Sequence, residues 1–136
     1  MINFINKISS LPEIGKQPPL NLGDIAPFQQ YLKENNIAPV PQDYLKLLQQ
    51  YNGLSYNGGW LAGIHPRHNL FIDIYNLNKQ VRHPLSQNTI ILGVNDFDYM
   101  AFNHKWQVYQ IIDKDDLEVL EEYQQLEQAL NYILKI

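Results

Sequence analysis

The chain has 136 residues, of which 45% are hydrophobic and 18% charged, with a net charge of −4; this is enough apolar side chain for one core and too little length for two. It contains no cysteine, which excludes disulfides, thiolate nucleophiles and cysteine-based zinc sites. No segment approaches the roughly 20 apolar residues of a membrane-spanning helix, and Asn3, Asn6, Lys7, Ser9 and Ser10 break up the apolar N-terminus, unlike a secretory signal, so a soluble, cytoplasmic protein with no membrane partner is expected.

Residues 1–23 read as an N-terminal extension: a short apolar-polar stretch (Ile2, Phe4, Ile5, Ile8) predicts a helix, and Pro12, Gly15, Pro18 and Pro19 a loop after it. Residues 24–136 read as a single domain. Ile25, Phe28 and Leu32 recur at helical spacing from Asp24 to Asn36, with Asp24 as the cap and Pro27 confined to the first turn. A second helix is predicted from Pro41, at its first position, with Tyr44, Leu47, Leu48 and Tyr51 on one face and Gly53 as the C-terminal cap.

Asn57-Gly58-Gly59 signals a turn, after which the pattern changes to short runs rich in β-branched and aromatic residues. Strands are expected at Leu70 to Tyr75, Thr89 to Val94, Asp98 to Phe102 and Gln107 to Ile112. The last three are separated by Asn95-Asp96 and by Asn103-His104-Lys105, connections short enough for an antiparallel meander. Leu117 to Tyr123 reads as either an edge strand or a backward extension of the closing helix, with the strand preferred. Leu126, Ala129, Leu130, Ile133 and Leu134 define that helix, with Glu122 and Glu127 near its start and Lys135 in its last turn. Helices first, successive strands and a closing helix predict an α+β domain, a mainly antiparallel sheet with helices packed on one face.

Little in the chain suggests chemistry. His65-Pro66-Arg67-His68 is the one cluster of metal ligands or bases, and Pro66 prevents a helical display of the two imidazoles; a metal site would need Asp73 or Asp96 brought close by the fold. The pairs Asp96/Asp98 and Asp115/Asp116 sit at turns, where carboxylates commonly serve as Asx turns and caps. Ser9, Ser10, Ser55 and Ser86 lie in no nucleophile elbow, and Asn57-Gly58-Gly59 lacks the Lys-Ser/Thr of a phosphate loop. No catalytic residue, metal or cofactor is therefore expected, and the chain is not read as an enzyme.

Charge and rings are more informative. Between positions 113 and 127, Asp113, Asp115, Asp116, Glu118, Glu121, Glu122 and Glu127 oppose only Lys114, a local charge of −6, which makes nucleic acid a poor partner for this end. The segment is either a solvated acidic face or a patch that attracts a partner. Aromatic residues make up 12% of the chain. Tyr44, Tyr51, Tyr75 and Phe102 fall on expected core faces, whereas Tyr56, Trp60 and Trp106 lie in or beside turns and are candidate contact residues.

Taken in order, several stretches resemble the SUKH superfamily, named in part for the yeast cell-wall assembly regulator, and within it the bacterial YrhA-like branch. They are Pro41-Gln42-Asp43-Tyr44-Leu45, Tyr51-Asn52-Gly53-Leu54, Trp60-Leu61-Ala62-Gly63, Ile91-Leu92-Gly93, Tyr99-Met100-Ala101-Phe102, and Tyr109 to Asp113 ahead of the Leu126 to Leu134 helix. The resemblance covers roughly residues 24 to 135 and makes Pro41, Tyr44, Asn52, Gly53, Gly63 and Gly93 scaffold. Asn52-Gly53 is suited to ending a helix and Gly93 to a bulge or close backbone approach. The acidic residue usual in the family's Ile-Leu-Gly hairpin corresponds here to Asp96 or Asp98.

The resemblance implies a non-catalytic immunity protein that binds and neutralises a cognate polymorphic toxin. The toxin is expected to be a basic nuclease or similar enzyme, met by Asp96, Asp98, Asp115, Asp116, Glu118, Glu121 and Glu122 together with the exposed rings. A regulatory or scaffold domain without a toxin, as in eukaryotic members, is the alternative, and a metal-dependent enzyme built on His65 and His68 a third.

Overall fold

The computed structural model describes residues 1–68, 70–81 and 87–136; Ser86 lies outside them. Seven strands form one sheet in the order of the chain: β1 (Gly15–Lys16), β2 (Leu54–Tyr56), β3 (Gly59–Leu61), β4 (Thr89–Val94), β5 (Asp98–Asn103), β6 (Val108–Asp113) and β7 (Val119–Tyr123). Every neighbouring pair is antiparallel, and with α1 (Ile2–Ser10), α2 (Ile25–Glu34), α3 (Gln42–Leu48), α4 (Ile74–Gln80) and α5 (Leu126–Leu134) the domain is α+β, as expected.

The meander follows from its connections. Asn57 and Gly58 both have positive φ, 51° and 73°, the two-residue turn whose twist matches that of the strands it joins, so Tyr56 pairs with Gly59. β4 runs over the predicted residues, and Gly93 sits at a register shift against β5; a Cβ on Gly93 would lie 2.7 Å from the Trp60 carbonyl oxygen, which accounts for glycine there. The ambiguous Leu117 to Tyr123 segment resolves as β7, after a turn in which Leu117 takes a φ of 61°.

Three expectations fail locally. Leu70 to Tyr75 is not a strand: Leu70 is exposed, Gly63 and Asp73 form one isolated parallel bridge, and α4 begins at Ile74. The Asp73 carboxylate accepts from the Tyr75 amide at 2.9 Å, an N-cap that overrides the β-branched composition. Pro41 is the N-cap of α3 rather than its first residue, and the helix stops at Leu48, so Gly53, at φ 122°, is not its cap. Glu122 belongs to β7 and only Glu127 to the first turn of α5.

One apolar core runs through the chain. Phe4, Ile8, Ile14 and Leu20 join it together with Phe28, Tyr44, Leu48, Leu92, Ile111 and Leu130. Helix α5 lies against β3, β5, β6 and β7, with Leu126, Ala129, Leu130, Ile133 and Leu134 all buried. A Cβ on Gly59 would overlap the Ile133 carbonyl, so glycine lets the C-terminal end of α5 sit directly on β3. No helix among the described residues is long and apolar enough to cross a membrane.

Candidate partner-binding surface

In a meander, alternate turns fall at the same end of the sheet. The β2–β3 turn at Asn57-Gly58, the β4–β5 turn at Asn95 to Phe97 and the β6–β7 turn at Lys114 to Leu117 therefore come together, although about 60 residues separate the first from the last. Two links fasten the last two: the Lys114 amide donates to the Phe97 carbonyl at 3.0 Å, and the Lys114 ammonium donates to the Asn95 carbonyl at 3.1 Å.

That ammonium finds a free carbonyl because the Asn95 side chain takes over its turn. Asn95 Oδ1 accepts from the amides of Phe97 and Asp98 at 3.0 and 2.8 Å, while its Nδ2 donates to Ile133 O of α5 at 3.4 Å. The neighbouring Asn57 Nδ2 donates to Leu134 O at 2.9 Å. Two turn asparagines thus satisfy carbonyls at the C-terminal end of α5 that helix geometry leaves open, and the turns are anchored to the core from below.

This anchoring presents Phe97 outward. It is 70% exposed, a large ring at the tip of a tight turn, and Asp96 on the same turn and Asp115, Asp116 and Glu118 on and beside the linked β6–β7 turn are all exposed. Asp113 Oδ1 accepts from the amides of Asp115 and Asp116 at 2.8 and 3.2 Å, and Asp116 Oδ1 accepts from Glu118 N at 2.9 Å, so the acidic turn has a defined shape. Sequence reading left Phe97 unassigned, between the Asn95-Asp96 separator and the strand expected from Asp98; the available signal was one apolar ring set between Asp96 and Asp98.

Asp98, expected at the partner face, is instead buried. It opens β5 directly opposite Asp113 of β6, and the Tyr132 hydroxyl of α5 donates to it. Burial first, then the Asp113 charge, holds its carboxyl above the usual range, with the Tyr132 bond and Lys114 pulling the other way. Its position as a strand's first residue pairing beneath a helix, not its charge, decides its place.

On the face opposite α5 the strand registers align Trp60, Val94, Tyr99, Ile112 and Val119 in one row across the sheet. The row is walled by α4: Trp60, Val94 and Tyr99 line a cleft of about 390 Å³ with Asn76, Leu77, Gln80, Asp96 and Lys114. Lys114 also stands 5.6 Å over the Tyr99 ring. Trp60 Nε1 is buried with no hydrogen-bond partner among the described residues. Tyr56, half-buried, closes β2 beside the same turns.

Glu121 and Glu122 are exposed on β7, on opposite faces: Glu122 accepts from Gln110 Nε2 at 2.8 Å, and Glu121 lies near Tyr132 on the α5 side. Trp106 is separated from all of these. It is 65% exposed in the β5–β6 turn at the other end of the sheet, with Lys105 Nζ 5.0 Å from its ring, because odd and even turns of a meander diverge.

The scaffold residues have specific tasks. Tyr44, fully buried, donates its hydroxyl to Ala62 O at 2.6 Å. Asn52 donates to Ile64 O and accepts from Ile64 N, both at 2.9 Å, so its amide substitutes for a strand partner rather than ending a helix. A Cβ on Gly63 would overlap the Asn52 carbonyl, which explains why the two occur together. His65 Nδ1 lies 3.5 Å from Asp73 Oδ2 and the ring stacks on Tyr75 at 4.6 Å. His68 Nδ1 is occupied by the Leu70 amide at 3.2 Å, and no grouping of three or more possible ligands occurs among the described residues.

No protein-family model matches the chain, and no curated protein matches it. The surface itself is an exposed ring, Phe97, with exposed carboxylates on the same and the adjoining turn, fixed to the core by hydrogen bonds. Such a surface can grip a basic protein with little loss of its own conformational freedom.

Proposed function

We propose that this chain is a binding module of the SUKH type, an immunity protein that occludes the basic substrate groove of a cognate toxin such as a nuclease. The observation that carries this reading is Phe97 held outward, 70% exposed, on a turn fastened by Lys114 to the acidic turn of Asp115, Asp116 and Glu118. An exposed aromatic anchor beside a predominantly acidic turn matches the anatomy of a high-affinity contact, and the −6 segment at 113–127 supplies steering toward a positive groove. The ordered resemblance from Pro41 to the closing helix supports the same reading. Capture of partners on the tagged full chain in its producing cells, with mass spectrometry, identifies the toxin. Association is then measured across salt concentrations for the Glu118→Gln, Glu121→Gln, Glu122→Gln triple variant. We expect slower association and a flatter salt dependence; unchanged association at every salt concentration would rule the acidic face out as the binding surface.

A further inference from the structure

β7 ends the strand order and pairs only with β6, so among the described residues one whole edge of its backbone has no strand beside it. Edge strands usually carry protection against pairing, and β7 has a bulge at Leu120 and the like charges of Glu121 and Glu122, which oppose a neutral or acidic strand but not a basic one, while Val119 and Leu120 are 48% and 44% exposed. The register shift between Ile111 and Ile112 sets Leu120 as the extra residue. Val119 and Glu122 then lie on the face of Ile112 and Gln110, and Glu121 and Tyr123 on the face of Ile111 and Tyr109. Each face of the edge thus presents one apolar and one acidic residue.

We infer that β7 accepts an added antiparallel strand from the partner, an extended segment with two consecutive Lys or Arg residues flanked by apolar ones. This rests on the binding reading above and specifies its mode. The backbone edge supplies hydrogen bonds of the strand-addition kind. Consecutive residues of the incoming strand point to opposite faces, so a basic pair meets Glu121 on one side and Glu122 on the other. A second copy of this chain is the wrong occupant: antiparallel self-pairing centred on Glu121 sets Glu121 against Glu121, and like charges directly opposite destabilise a sheet. It also brings together two segments that each carry −6.

The test titrates the isotope-labelled full chain at low salt with a capped peptide, a central Lys-Lys pair flanked by alternating Val and Thr. A control peptide of the same sequence carries backbone N-methyl groups at alternate residues. We expect the outward amides between Val119 and Tyr123 to exchange about tenfold more slowly with the first peptide and to be unaffected by the second, which keeps the charge but cannot form the ladder. The Glu121→Lys, Glu122→Lys double variant should bind about tenfold more weakly. Equal responses to both peptides, confined to the turns, would overturn strand addition while leaving the binding module intact. No response to either peptide, or β7 protection that rises with protein concentration alone, would also overturn it. Failure of the immunity reading has a different signature: the peptide adds to β7 but no toxin is captured from the producing cells.

Discussion

Lys114 donates its ammonium to the main-chain oxygen of Asn95 across the gap between two turns, at 3.1 Å. With the backbone bond from Lys114 to Phe97, this contact makes one rigid platform from the β4–β5 and β6–β7 turns. Lys114→Ala should therefore cost about 1.5 kcal/mol, the low end for a hydrogen bond to a charged group, or roughly 5 °C in Tm. Partner affinity should fall with it, because the β4–β5 turn that carries Phe97 then keeps only the backbone bond to the β6–β7 turn. Thermal melts and calorimetric titration check the two effects, and a variant with wild-type values for both would remove the platform argument.

Phe97→Ala should separate binding from stability. A ring this exposed contributes little to the core, so the unfolding free energy should stay within about 0.5 kcal/mol of the parent. Affinity for the captured partner should drop by about 2 kcal/mol, a factor of roughly 30, if the ring is the central anchor. Denaturant titration together with partner titration measures both.

Asp98 provides a pH signature. Its carboxyl is raised in the folded protein by burial and by Asp113 opposite, so the folded state holds this proton more tightly than the unfolded chain does. That contribution is complete below the unfolded value of about 3.9 and is lost as pH rises through the raised folded value. Asp98→Asn keeps an acceptor for the Tyr132 hydroxyl and removes the charge. It should erase this downward slope and be more stable than the parent at neutral pH, as followed by denaturation across the acid range.

Asn52→Ala should be among the most damaging single changes. It leaves the Ile64 amide and carbonyl, both buried, without their 2.9 Å partners, a loss of about 3 kcal/mol. Urea unfolding gives the value, and a loss below about 1 kcal/mol would mean that water or a backbone shift replaces the amide.

Where local signals agreed, the sequence was readable. Asn57-Gly58, the apolar runs of β4 to β6 and the stripe of α5 each combine a period with punctuation, and each element lies where expected. Leu70 to Tyr75 misled because Phe71, Ile72, Ile74 and Tyr75 carry strand propensity, while one Asp73 side chain caps a helix. Gly53 misled because Asn-Gly fits a helix end as well as the approach to a strand, and only the position of Ile64 shows what Asn52 pairs with.

The candidate surface divides in the same way. Its acidic character was written in residues 113 to 127, since charge is additive along a chain and needs no fold to be counted. That Phe97 would stand exposed on the turn linked to it, that Asp98 would turn inward to Tyr132 and that Trp106 would sit at the far end were decided by tertiary structure. Strand order determines which turns share an end, and helix α5 determines which carboxylate is covered, relationships between distant residues that no local pattern encodes.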